Sequence, residues 1–96
     1  MSRARWTRKA QQDLAAIDEY YADLSPACAD RVGDAAIAAG GFLARNPFAG
    51  PQIEGMNART WRVGQAPYLL VYRPDADGVS ILRIVHGSTD WQGMPI

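Results

Sequence analysis

Apolar residues recur at Ala10, Leu14, Ile17, Tyr21 and Leu24, at intervals of four, three, four and three. That spacing lays one stripe along an amphipathic helix, and Thr7 stands where its hydroxyl can cap the start. Asp13, Glu19 and Asp23 fall off the stripe and are expected to face water. Ser25-Pro26 then pairs a good N-cap with a residue suited to a first helical turn. Cys28, Val32, Ala35, Ala36, Ala39, Phe42 and Leu43 continue at helical spacing until Asn46-Pro47 stops the run. Two helices joined by so short a turn form an antiparallel hairpin. Gly33, Gly40 and Gly41 each cost up to about 1 kcal/mol against alanine inside a helix, and close packing of the two helices is the expected return.

From Pro47 onward the period changes. Pro47, Gly50, Pro51 and Gly55 mark an irregular connection. Arg59 to Val63, Tyr68 to Arg73 and Val79 to His86 are short strands, with Pro74 to Gly78 as a turn between the last two. They lie too close together for crossover helices and must form an antiparallel meander. With Arg3 to Thr7 as a leading strand, the fold class is α+β in the order β-α-α-β-β-β. A helical hairpin packs on one face of a small, mainly antiparallel sheet. The last two strands are apolar on both faces: Leu69 and Val71 oppose Tyr68, Leu70 and Tyr72, while Ile81 and Val85 oppose Leu82 and Ile84. A sheet with helices on one side ordinarily shows a polar second face, so the pattern implies an uncovered apolar face for a partner.

Composition changes this picture little. Ninety-six residues with 48% hydrophobic content suit one domain spanning residues 1–96. No apolar run approaches the roughly 18 residues of a membrane span, and no signal-peptide core follows the basic start; a cytoplasmic chain is expected. The single Cys28 excludes an internal disulfide and cannot alone build a zinc site; at its place on the helical stripe it is expected to be buried and inert. Ten basic and ten acidic side chains cancel, but unevenly. Arg3, Arg5, Arg8 and Lys9 crowd the start, acids dominate from Asp13 to Asp34, and arginines dominate from Arg45 to Arg83. A neutral chain binds nucleic acid only through a local patch.

These elements carry a resemblance. Trp6-Thr7, Ala10, Asp13-Leu14, Ile17 and Tyr20 resemble the opening of ParE-type toxins in the ParE/RelE toxin–antitoxin superfamily. Asn46-Pro47 with Gly50, Arg59 to Val63, Tyr68 to Arg73, and Val79 to Trp91 follow in the family's order. The resemblance covers about Arg5 to Trp91. It implies a small cognate antitoxin, ParD-like or similar, that wraps the helices and sheet in a hetero-oligomer. DNA would be met only indirectly, through that antitoxin. ParE-type members poison DNA gyrase, whereas RelE-type members cut mRNA on the ribosome; fold alone does not separate the two.

RNA cleavage by a 2′-hydroxyl needs a base, an acid and positive charge on the transition state. Lys9 is the lone lysine, and after His86 come no Lys, Arg or Tyr. Many ParE-like sequences carry Arg where Thr89 stands. The catalytic candidates that remain are Arg62, Arg73, Arg83 and His86, and His86 is as readily a side chain that fixes the turn into the tail. No cofactor or metal is called for. For antitoxin contact the candidates are Leu69, Val71, Ile81, Val85 and Trp61, with the edge at Arg59 to Val63 open to strand addition. For target contact they are Arg59, Arg73, Arg83 and Trp91. The leading expectation is a noncatalytic gyrase inhibitor. A ribosome-dependent endoribonuclease and a non-toxic antitoxin-binding relative are its alternatives.

Overall fold

A computed structural model of the chain describes residues 2–88 and 91–93. Strand β1 (Arg3–Trp6) leads through Thr7 into helix α1 (Arg8–Ala22), and helix α2 (Pro26–Arg45) follows after a short turn. Both caps form as the sequence implies. Thr7 Oγ1 accepts from the Ala10 amide at 3.2 Å, and Ser25 Oγ from the Cys28 amide at 3.3 Å. α1 stops at Ala22, short of Leu24, which is largely exposed. The chain then crosses to strands β2 (Arg59–Arg62), β3 (Tyr68–Asp75) and β4 (Gly78–His86).

The sheet order is β1-β4-β3-β2, with β1 parallel to β4 and the rest antiparallel. α1 lies over β4, and α2 over β1 and β4. β3 runs two residues past Arg73, so the turn to β4 is tighter than Pro74 to Gly78 suggests. Gly78 makes that turn possible: its φ is +142°, and a Cβ there would collide with the Arg3 backbone. Gly40 does not serve helix–helix packing. A Cβ on it would stand 3.2 Å from the Trp6 ring and 3.5 Å from Ala4 Cβ, so it admits β1 under α2.

One irregularity decides which side chains face the helices. Val71 pairs with Arg83 but Tyr72 pairs with Ile81, leaving Leu82 as an extra residue in β4. Such a β-bulge resets the alternation of side chains. Val79 and Ile81 before it, and Ile84 after it, all join the helix-side core with Tyr68, Leu70, Tyr72 and Leu43. Leu82 and Val85 turn to the opposite face with Leu69 and Val71. Strict alternation would have put Ile81 with Val85. The bulge overturns that grouping.

The opposite face is not left open either. Ile53, Met56 and Ala58, from the connection before β2, pack over Val71 and Val85, and Trp91 joins them. Backbone bonds hold this cover: the Ile53 amide donates to Ala58 O at 2.9 Å, and the Thr60 amide to Pro51 O at 3.1 Å. Gln52 also bridges to Arg59. The chain closes its own second face, because a segment too irregular to score as an element carries apolar residues at the right places.

Candidate functional site

The arginines of the sheet are spread across the molecule and each has a structural engagement or an open surface. Arg59 Nη1 donates to Gly50 O at 2.7 Å and Phe48 O at 3.4 Å, with its guanidinium 5.2 Å from the Phe48 ring centre. These bonds tie β2 to the loop that ends α2. Arg73 Nε donates to Asn57 O at 2.7 Å and pins the cover over the far face. Arg62 is exposed at the end of β2. Arg83 does something that helical periodicity hid. Its Nε and Nη2 reach both oxygens of Asp13 at 2.7 and 3.0 Å, and Asp13 Oδ2 also accepts the Ile84 amide at 3.0 Å. Asp13, expected to face water, therefore clamps α1 to β4, and both side chains are only 17% exposed.

The clamp has a backbone reason. β1 ends at Trp6, so among the described residues the outer edge of β4 beyond Ile81 has no neighbouring strand to satisfy it. Thr7 Oγ1 donates to Leu82 O at 3.0 Å, and Asp13 takes the Ile84 amide. Helix α1 thus supplies, from its side chains, the bonds a longer β1 would have made. The Asp13 hydrogen bonds raise the Arg83 pKa above its ordinary value, against the lowering effect of burial, and the Asp13 charge adds to the rise.

His86 is a turn-fixing residue in this arrangement. Its Nδ1 stands 3.2 Å from the Ser88 amide and 2.7 Å from Ser88 Oγ, and its ring lies edge-on to Tyr68. An Nδ1 that accepts the amide places the ring proton on Nε2. Tyr68, nearly buried, shares a 3.4 Å hydroxyl contact with Tyr21. Burial first, and Tyr21 second, push its pKa up to about 12, so the phenol stays protonated across the physiological range.

Of the residues expected to meet an antitoxin, Val71 and Ile81 are wholly buried and Val85 nearly so. Ile81 lies under the helices because of the bulge, and Val71 and Val85 lie beneath Ile53 and Ala58. Leu69 is half-buried among the same far-face residues. Trp61 stacks on Phe42, with ring centres 5.2 Å apart and planes 20° from parallel. Trp91 closes the far-face cluster. The β2 edge is partly taken by Pro51 and Gln52. Cys28 is half-buried against the core, and Thr89 and Asp90 lie outside the described residues.

The open apolar surface is on the helices instead. Leu14, Ala15, Ile17 and Asp18 of α1 face Ala29, Gly33 and Ile37 of α2 across a groove of about 680 Å³, with Trp6 and Gln11 at one end. Ile37 is 62% exposed on the rim of this apolar groove. A Cβ on Gly33 would meet open space beyond its own helix, so the missing side chain leaves room on this side of the groove. The sequence does carry the signal: Ala29, Gly33 and Ile37, at intervals of four, make a second small-and-apolar row on α2 beside the buried one.

A family model, the ParE toxin of the type II toxin–antitoxin system parDE, matches residues 4–91. The chain belongs to the ParE toxin family. Among solved structures it resembles a chain of the chromosomal ParDE system of P. aeruginosa, at 30% identity and a TM-score of 0.77, over 90% of this chain and 96% of that one. It also resembles a chain of the RelBE2 toxin–antitoxin complex of Mycobacterium tuberculosis, at 27% identity and a TM-score of 0.60, over 88% and 96%. No curated protein matches in sequence. Among the described residues no helix is long and apolar enough to cross a membrane.

Proposed function

We propose that this ParE-family chain is the toxin of a type II pair. In this reading it inhibits DNA gyrase by surface contact and is silenced by a small antitoxin seated along the α1–α2 groove. The observation that carries the noncatalytic part is the employment of the sheet's cations. Arg59 and Arg73 are spent on backbone carbonyls and Arg83 on Asp13, while the His86 Nδ1 faces Ser88. A phosphoryl-transfer site needs such groups converging on one phosphate; these point to separate structural tasks. Of the candidates for target contact, Arg59, Arg73 and Arg83 hold structural bonds and Trp91 packs in the far-face cluster; the groove supports the antitoxin part. Its place between two helices and its apolar lining fit an amphipathic helix laid in lengthwise.

The experiment is induced expression followed by parallel readouts. Growth arrest with DNA breaks and intact messenger RNA supports the proposal. Arrest with messenger RNA cut at codon positions would replace it with the ribosome-dependent nuclease suggested by the RelBE2 likeness. Unaffected growth would leave a fold that only binds an antitoxin.

A further inference from the structure

The chain is neutral, yet its charge is divided along the helical hairpin. The halves of α1 and α2 nearest their connecting turn carry Asp18, Glu19, Asp30 and Asp34 against Arg31, and Asp23 lies in the turn itself. At the other end, α1 begins with Arg8 and Lys9 and α2 finishes with Arg45. α2 packs on β1 there, with Gly40 against the Trp6 ring, so Arg3 and Arg5 of β1 join the same end. All five cations are exposed, and none is in an ion pair among the described residues. Two carboxylates stand against them. Asp77, whose carbonyl accepts the Arg3 amide at 2.8 Å, lies beside Arg3, and Asp75 is near enough to Arg5 to feel its charge. Asp13, in the same half of α1, is occupied by Arg83. Arg3 is thus offset and Arg5 partly so, while Arg8, Lys9 and Arg45 stand unopposed.

Two of these cations go against local preference. The first turn of α1 holds no acid, and Arg8 and Lys9 sit at the positive end of the helix dipole, where cations are unfavourable. No hydrogen bond or ion pair among the described residues engages either side chain. An anion from outside relieves both. The surface suits a polyanion better than a protein, because protein interfaces centre on buried aromatic or apolar anchors. The large exposed apolar side chains lie elsewhere or are engaged. Tyr20 and Leu24 are near the turn, Ile37 is on the groove, Phe42 stacks on Trp61, and Phe48 lies under the Arg59 guanidinium. Single-stranded nucleic acid also needs free aromatic faces on which bases stack. The phosphates of a duplex need only charge. The acidic half of the hairpin repels the same phosphates, so the basic end alone approaches them.

We propose that Arg5, Arg8, Lys9 and Arg45 form a contact surface for the phosphate backbone of duplex DNA, one that the chain uses directly and without an antitoxin. For a gyrase-directed toxin, the contact adds the enzyme's own substrate to the docking surface. The test needs no gyrase, so its result stands whichever target the supercoiling assay returns. The full chain is titrated into a fluorescently labelled twenty-base-pair duplex, and anisotropy is read at about 50 and about 200 mM salt. With four phosphate contacts, affinity should fall by roughly a hundredfold over that range. Arg8→Gln/Lys9→Gln should reduce the log–log salt slope by about 2. Its unfolding midpoint should stay unchanged or rise, because cations leave the positive helix end. Asp30→Asn/Asp34→Asn, at exposed sites in the acidic half, should change affinity by less than about twofold, since these charges lie beyond the screening length. Absence of saturable binding at the lower salt, or a slope unaltered by Arg8→Gln/Lys9→Gln, would overturn the proposal. An equal response to neutralising the acidic half would also overturn it, by marking net charge as the cause. So would tighter binding to a duplex RNA of the same sequence, or equal binding to polyglutamate, which would assign the surface to RNA or to an acidic protein.

Discussion

Replacing Asp13 with alanine tests whether one side chain joins α1 to the sheet. Three hydrogen bonds end on its carboxylate: two from Arg83 and one from the Ile84 amide. An exposed ion pair is worth about 0–1 kcal/mol, and breaking a fully buried one costs about 3–5 kcal/mol. At 17% exposure for both side chains, the pair falls between these limits. The Ile84 amide adds its own loss, because a part-buried donor without an acceptor costs about 1–3 kcal/mol. Asp13→Ala should therefore destabilise the chain by about 2–4 kcal/mol. Asp13→Asn, which keeps an acceptor for the amide but no charge for Arg83, should cost roughly half as much. Urea denaturation followed by tryptophan fluorescence gives both numbers. In a double-mutant cycle with Arg83→Ala, the coupling should be about 1–2 kcal/mol and should persist in molar salt, since a part-buried pair is little screened. A cost for Asp13→Ala below about 0.5 kcal/mol, the range of ordinary surface changes, would refute the clamp.

Gly50→Ala should destabilise by about 2 kcal/mol or more by urea titration, the scale of overpacking in a close-packed site, because its Cβ would run into Thr60 O and the Tyr72 hydroxyl. Tyr68 should still be protonated near pH 11, well above a free phenol, as read by absorbance at 295 nm and assigned by loss of that titration in Tyr68→Phe. Its folded pKa is raised to about 12, so the stability linked to it is complete below the unfolded value near 10 and is lost as pH climbs from there through about 12. Ile37→Glu, at an exposed position on the groove, should leave the unfolding midpoint nearly unchanged yet abolish rescue of growth by the antitoxin; full rescue would remove the groove from the antitoxin site.

Local signals carried the framework. Thr7, Ser25-Pro26 and Asn46 announce where helices begin and end because capping depends on residues a few positions apart. The strands were legible for the same reason. The sides of the sheet were not, since a single unpaired residue, Leu82, reverses the alternation after Ile81. The far-face cover was hidden because Ile53, Met56 and Ala58 follow no period. Asp13 looked solvated because helical spacing knows nothing of a β4 edge seventy residues on. In each case a long-range partner overrode a local pattern. The groove was half visible: the row Ala29, Gly33 and Ile37 was present, but the buried stripe beside it drew attention to helix–helix packing.

Gyrase supercoiling in vitro tests the central claim most directly. Purified chain at micromolar concentration should stop gyrase from supercoiling relaxed plasmid and leave cleaved DNA bound to the enzyme. Addition of the antitoxin in equal amount should restore activity. Supercoiling at the normal rate with folded chain present would contradict the account.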